Sequence, residues 1–129
     1  MFLEITDDQQ MFRDTAVRFI ETESPVTRVR EWHGDPIGFD RNWIVKAAEL
    51  GWFAQLIPES LGGGSISGAG IVDATVVATE LGRFVQPGPF IPTNVVVEAL
   101  AAAGSEEQQA NHMWSVAGGE SLATWAWPT

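Results

Sequence analysis

The sequence predicts an all-α fold, an up-and-down style bundle of about six helices, with the start of a β strand at its C-terminal end. Three observations carry this. Apolar residues recur at helical spacing in successive segments. Two capping boxes, Thr6-Asp7-Asp8-Gln9 and Ser105-Glu106-Glu107-Gln108, mark helix starts. Glycine- and proline-rich breaks separate the segments. A chain of 129 residues is one domain by length, and 45% hydrophobic with 19% charged residues is a globular rather than a disordered composition.

The first helix opens at Thr6 and carries Phe12, Ala16, Phe19 and Ile20 on one face, with Arg13, Asp14, Arg18 and Glu21 elsewhere. Ser24-Pro25 opens a short second helix, Pro25 suiting its first position, which runs to about Trp32 and stops at His33-Gly34-Asp35-Pro36. Asp40 caps a third helix, Asn42–Leu50, with Trp43, Ile44, Ala47, Ala48 and Leu50 on its apolar face. These three form an outer layer. Gly51 ends the third helix by taking the left-handed cap conformation. Phe53–Ile57 is a short buried segment that stops at Pro58, and Gly62-Gly63-Gly64 act as a flexible hinge to the second half.

Gly70–Phe84 has only Asp73, Glu80 and Arg83 as charges, so it reads as a central helix, apolar nearly all round. Gln86-Pro87-Gly88-Pro89 breaks it. An apolar helix follows over roughly Ile91–Ala103, ended by Gly104. The helix opened by Ser105 reaches about Val116 and stops at Gly118-Gly119, its Glu106 and Glu107 favoured by the helix dipole. Leu122–Trp127 then alternates Trp125 and Trp127 with Thr124 and Ala126, a strand pattern. A lone strand has nothing to pair with in a helical domain, and the chain stops at Pro128-Thr129 without a turn. That predicts a truncation inside a larger protein. No repeat or low-complexity segment is present.

Seven basic against 17 acidic residues give a net charge of -10, which repels phosphate backbones and anionic membranes and argues against nucleic-acid binding. The absence of cysteine removes disulfides, thiolate metal sites and cysteine nucleophiles. No signal peptide precedes the first helix, and the apolar runs Ile71–Leu81 and Val95–Ala103 are too short to span a bilayer. The expected compartment is the cytoplasm.

Candidate chemistry is sparse. The glycine cluster from Gly62 to Gly70 has no following lysine and no dinucleotide-binding spacing, and Gly64-Ser65-Ile66-Ser67-Gly68 has Ile where a nucleophile elbow needs serine. His33 sits in a turn and His112 on a polar helix face, both read as solvated. Glu106 and Glu107 are first-turn acids rather than a catalytic pair. Trp32, Trp43 and Trp52 are packing residues. The residues by themselves compose no catalytic constellation, and no metal site.

Several stretches, in order, resemble the N-terminal helical domain of acyl-CoA dehydrogenases. They are the opening Thr6-Asp7-Asp8-Gln9; Glu49-Leu50-Gly51-Trp52-Phe53 with Ile57-Pro58-Glu59-Ser60-Leu61-Gly62-Gly63; Thr79-Glu80-Leu81-Gly82-Arg83; Ala103-Gly104-Ser105-Glu106-Glu107-Gln108-Gln109; and Gly118-Gly119-Glu120-Ser121-Leu122-Ala123. Trp125-Ala126-Trp127 falls where that family has the first strand of its middle domain.

The resemblance implies a helical domain over 1–119 and, over 120–129, the first strand of a truncated middle β domain. It implies FAD as cofactor and an acyl-CoA thioester as substrate, in fatty acid or steroid catabolism. In the family a glutamate removes the α-proton while hydride leaves the β-carbon for the flavin; that glutamate lies in the C-terminal bundle, so no catalytic residue is expected in this chain. Pro87, Gly88, Ile91 and Val95 are expected to face the acyl chain, although ordinary helix packing accounts for them equally. Trp125, Ala126, Trp127, Pro128 and Thr129 are expected near the flavin. Pro128 departs from the family, which has a hydroxyl there. The remaining β and C-terminal helical domains, a homo- or hetero-tetramer and an electron-transfer partner are implied as well. The run from Leu81 to Phe90 resembles actinobacterial members, some of which form mixed tetramers acting on steroid or bulky acyl-CoA substrates. A non-catalytic helical subunit of such a heteromer and an unrelated helical interaction domain are the alternatives.

Overall fold

Side-chain caps fix where three of the helices begin. The computed structural model describes residues 4–128. Thr6 Oγ1 accepts from the Gln9 amide at 3.1 Å while Gln9 Oε1 accepts from the Thr6 amide at 3.0 Å, starting α1 (Asp7–Glu23). Helix α2 is Val26–Trp32, one residue after Pro25. Asp40 Oδ1 accepts from the Asn42 amide at 2.8 Å and opens α3 (Arg41–Glu49). A single 3-10 turn at Glu59–Leu61 precedes α4 (Gly70–Arg83) and α5 (Phe90–Ala103). Ser105 forms the second reciprocal cap, with Gln108 at 3.2 and 2.9 Å, and starts α6 over residues 106–117. Helix α6 is continuous but contains a π-helical turn at Gln109–Met113. There the Gln109 side chain reaches back to the Leu100 and Ala101 carbonyls at the end of α5.

The segment between α3 and the 3-10 turn is the hub of the core. Trp52 and Phe53 are fully buried. Trp52 meets Phe19 of α1, Trp43 of α3 and Phe90 of α5 edge-on, at centroid distances of 5.3, 5.7 and 6.2 Å, the arrangement the ring quadrupoles favour. Gly51 makes this entry possible at φ +79°, where a side chain would be strained. Phe12, Ala16 and Ile20 of α1, Val77 and Leu81 of α4, Val97 of α5 and Met113 and Val116 of α6 complete the core. Trp52 and Trp43 are core residues as expected; Trp32 is only half-buried, under the Arg28 guanidinium at 5.4 Å.

The glycine-rich connection is tied down, unlike the flexible hinge expected of it. A Cβ at Gly63 would collide with Ile57, and one at Gly70 with the Gln55 carbonyl. Between them, Ser67 is held by Asp73, its amide at 2.9 Å and its hydroxyl at 2.7 Å, and Gln9 of α1 donates to the same carboxylate at 3.0 Å.

Helix α4 departs from the all-round apolar burial expected of it. Its buried side chains include the charged Asp73 and Glu80, while Ile71 is 68% exposed. Glu80 accepts from Arg13 Nε at 2.6 Å and from Arg83 Nη1 at 2.8 Å. These two carboxylates are buried because their donors enter the α1–α4 contact with them, Gln9 and Ser67 for Asp73, Arg13 and Arg83 for Glu80.

The strand start expected over Leu122–Trp127 is corrected: among the described residues there is no strand. Residues 122–128 have no ladder partner, and a strand's backbone groups need one.

Candidate functional site

Small side chains leave a groove open between α4 and α5 on one side. Ala74 and Ala78 on α4, and Ala99 and Ala102 on α5, recur at helical spacing and line a groove of about 410 Å³. Ala74, Phe90 and Asn94 are its buried base; Ile71, Ile91, Val95 and Trp125 are its exposed rims. Glu98 is the one acidic side chain in the lining, which has no basic one. The Thr75 hydroxyl is turned back to the Ile71 carbonyl at 2.7 Å. Asn94 is different. Its Nδ2 donates to the Phe90 carbonyl at 3.0 Å, and its buried Oδ1 has no protein partner.

The structure brings Trp125, far along the chain, together with Ile91 and Val95 of one helix face in this groove. Gly88 lies in a neighbouring hollow of about 240 Å³ that shares Ile91, its positive φ of 118° forming the turn beside Trp43 and Ile44. Pro87 lies on another side, in a hollow with Val29, Trp32 and His33. Ala126, Trp127 and Pro128 are exposed and outside the groove, and Thr129 lies outside the described residues. His33 and His112 are exposed, and no group of three potential metal ligands occurs among the described residues. The sequence reading missed Asn94; the signal was an amide inside an otherwise apolar helix.

The described residues fit a flavin only in part. Trp125 and Trp127, 53% and 80% exposed, present aromatic faces. A diphosphate needs cations or amide donors, and the groove lining contains no lysine or arginine. Arg13 and Arg83 are engaged on Glu80, and Arg41 on the Glu120 carbonyl at 2.9 Å.

The described residues form a helical domain with a small-residue groove between two of its helices, rimmed by Trp125 from the segment after α6. The chain belongs to the acyl-CoA dehydrogenase family: the family model for the acyl-CoA dehydrogenase N-terminal domain matches residues 6–120. It is similar to acyl-CoA dehydrogenase IpdE2 of Mycobacterium tuberculosis, 32% identical over 105 residues, covering 81% of this chain and 32% of the relative. The similarity to IpdE2 of Mycolicibacterium smegmatis is 30% over 104 residues, covering 80% of this chain and 32% of the relative. The crystal structure of the ChsE4-ChsE5 complex from Mycobacterium tuberculosis superposes with a TM-score of 0.78 at 26% identity, covering 93% of this chain and 32% of the matched one. The chain thus spans about a third of the length of these relatives. Family membership sets aside the unrelated interaction domain.

Proposed function

We propose that the chain is the N-terminal part of an FAD-dependent acyl-CoA dehydrogenase and that the α4–α5 groove is one wall of its acyl site. The observation that carries this is the meeting of Ile91, Val95 and Trp125 around an apolar base. Apolar lining with few polar groups suits an acyl body, and Glu98 turns away the anionic end of a CoA thioester, so that end leaves the groove at the opposite rim. When bound, the flavin accepts the hydride; this chain's part is to exclude water from the acyl chain and to orient it. Residues 1–119 act as the helical domain. Residues 120–129 pair with a β domain, where Ala126, Trp127, Pro128 and Thr129 approach the flavin and Pro87 and Gly88 shape the turn into α5. The acting form is a tetramer served by an electron-transfer partner, in the cytoplasm. No helix of the described residues is long and apolar enough to cross a membrane.

A second reading is a non-catalytic subunit of a heteromer. The structural neighbour is a two-component complex, and Pro128 offers neither an amide hydrogen nor a hydroxyl.

The test is the absorption spectrum of the gene product expressed with its flanking coding sequence, before and after anaerobic addition of acyl-CoA thioesters. A flavin band bleached by one thioester, and lost as a response in Val95→Asp while helical content is kept, supports the first reading. A protein that stays colourless with added FAD removes it in favour of the second.

A further inference from the structure

We infer that the acyl group carries an apolar ring at the end remote from its thioester, and that the hollow at the α4–α5 turn, opened by Gly82, receives it. This rests on the groove being an acyl site. The open space does not stop at Ile91. Ala78, Phe90 and Ile91 line both the groove and the hollow of about 240 Å³ beside Gly88, so the two meet at these residues. On α4 the groove face runs through Ile71, Ala74, Thr75 and Ala78. The next position on that face, one turn further along α4, is Gly82, which lines the hollow. Side chains therefore shrink along the face toward the turn, from isoleucine through alanine to none.

Two glycines border the hollow, and the backbone explains only one of them. Gly88 holds a φ of 118°, which favours glycine. Gly82 lies within α4 without a positive φ, and a Cβ there would meet nothing within 4 Å. Neither conformation nor packing calls for glycine at this position, and glycine weakens a helix relative to alanine. What it provides is width. An apolar cavity of about 150 Å³ takes up benzene, so the hollow has room for a six-membered ring. Gln86 is the one polar side chain in its lining, and both ends of its amide are engaged. Its Nε2 donates to the Ser24 and Phe84 carbonyls at 3.0 and 3.1 Å, and its Oε1 accepts from the Ser24 hydroxyl. The ring is therefore apolar. Trp125, from the segment proposed to approach the flavin, lines the groove but not the hollow, which sets the thioester toward Trp125 and the ring toward the turn.

A cyclohexyl group exposes less apolar surface than a straight chain of the same carbon number, so a featureless groove gives it no advantage in burial. It does have fewer rotors to fix, but that advantage survives any change at position 82. The experiment uses calorimetric titration of the gene product expressed with its flanking coding sequence. The probes are ω-cyclohexyl acyl-CoAs with tethers of increasing length and straight-chain acyl-CoAs of the same carbon numbers. At the tether that reaches past Ile91, the ring-bearing thioester should bind about tenfold more tightly than its straight-chain counterpart. In Gly82→Leu that ratio should vanish, and in Gly82→Ala it should fall part of the way. Both replacements are better helix formers than glycine, so the helix is kept. A wild-type protein that binds the straight-chain series as well or better overturns the inference and leaves the groove as an acyl site. So does a ratio that persists in Gly82→Leu, or an equal weakening of both series. Absence of binding by every thioester removes the groove reading together with the inference.

Discussion

Arg13 Nε donates to Glu80 Oε1 at 2.6 Å across the α1–α4 contact, and the carboxylate that receives it has a fully buried side chain. Arg83 adds a second donor one turn along α4 at 2.8 Å. The asymmetry matters. Both arginines are part-exposed and can return to water, whereas Glu80 cannot. Arg13→Ala should therefore cost about 1.5–3 kcal/mol, the range for a hydrogen bond to a charged group, rather than the ~0–1 kcal/mol of a surface pair. Urea unfolding of the two single variants and the double variant Arg13→Ala/Glu80→Leu measures it. A coupling energy near zero would show that Glu80 is hydrated.

Asp73 does for the glycine-rich connection what Glu80 does for the helix pair. It gathers the Ser67 amide, the Ser67 hydroxyl and the Gln9 amide group within 3.0 Å. Asp73→Asn replaces one acceptor oxygen with a donor and leaves one of these three donors facing another. The expected loss is about 1–3 kcal/mol, concentrated locally: the Ser67 amide should exchange with deuterium much faster while α5 amides keep their relative protection. Uniform loss of protection would mean that this connection has no local opening of its own.

How far the sequence revealed this arrangement depended on whether the signal was local. Thr6, Ser105, Asp40 and Gly51 act on backbone groups within four residues, so their types and spacing announced them, and all four act as expected. The burial of Asp73 and Glu80 was not legible because their donors on α1 lie more than sixty residues away. The groove was half visible. Ile91 and Val95 share a helix face, but Trp125 joins them only through tertiary placement, and the turn at Gly88 sends Pro87 to another side. The strand at Leu122–Trp127 was expected from alternation and from the family resemblance, and neither supplies a pairing partner within the described residues. Asn94 was passed over because a lone amide in an apolar helix looks like tolerated polarity until its oxygen is found without a donor.

Two glycines should respond in opposite directions to alanine. At Gly63 a Cβ would meet the Ile57 backbone and side chain, neither of which can move without disturbing a fully buried core residue. Gly63→Ala is expected to destabilise by about 1–3 kcal/mol or more. At Gly82, exposed near the end of α4, a Cβ meets nothing within 4 Å and the backbone is already helical. Gly82→Ala should stabilise by about 0.5–1 kcal/mol. Thermal midpoints of the two variants are sufficient. A stable Gly63→Ala protein would contradict the close approach of the two segments.

Trp43 and Trp52 offer a matched comparison, because both indoles lie in one aromatic cluster at a centroid distance of 5.7 Å and only one has its N–H satisfied. Trp43 Nε1 donates to the buried Ser24 hydroxyl at 2.9 Å, and that hydroxyl in turn contacts the Gln86 side chain, joining α1, α3 and the α4–α5 turn. Trp52 Nε1 is buried without a protein partner. Replacing either by phenylalanine removes the same atoms and opens a similar void, so the packing losses largely cancel between them. What does not cancel is the hydrogen bond. Trp43→Phe strips Ser24 of a donor, whereas Trp52→Phe relieves a group that gains nothing from being buried. Trp43→Phe should therefore cost about 1 kcal/mol more than Trp52→Phe, read from urea midpoints at equal slope. Equal costs would mean that the Trp52 N–H has a buried water as its acceptor.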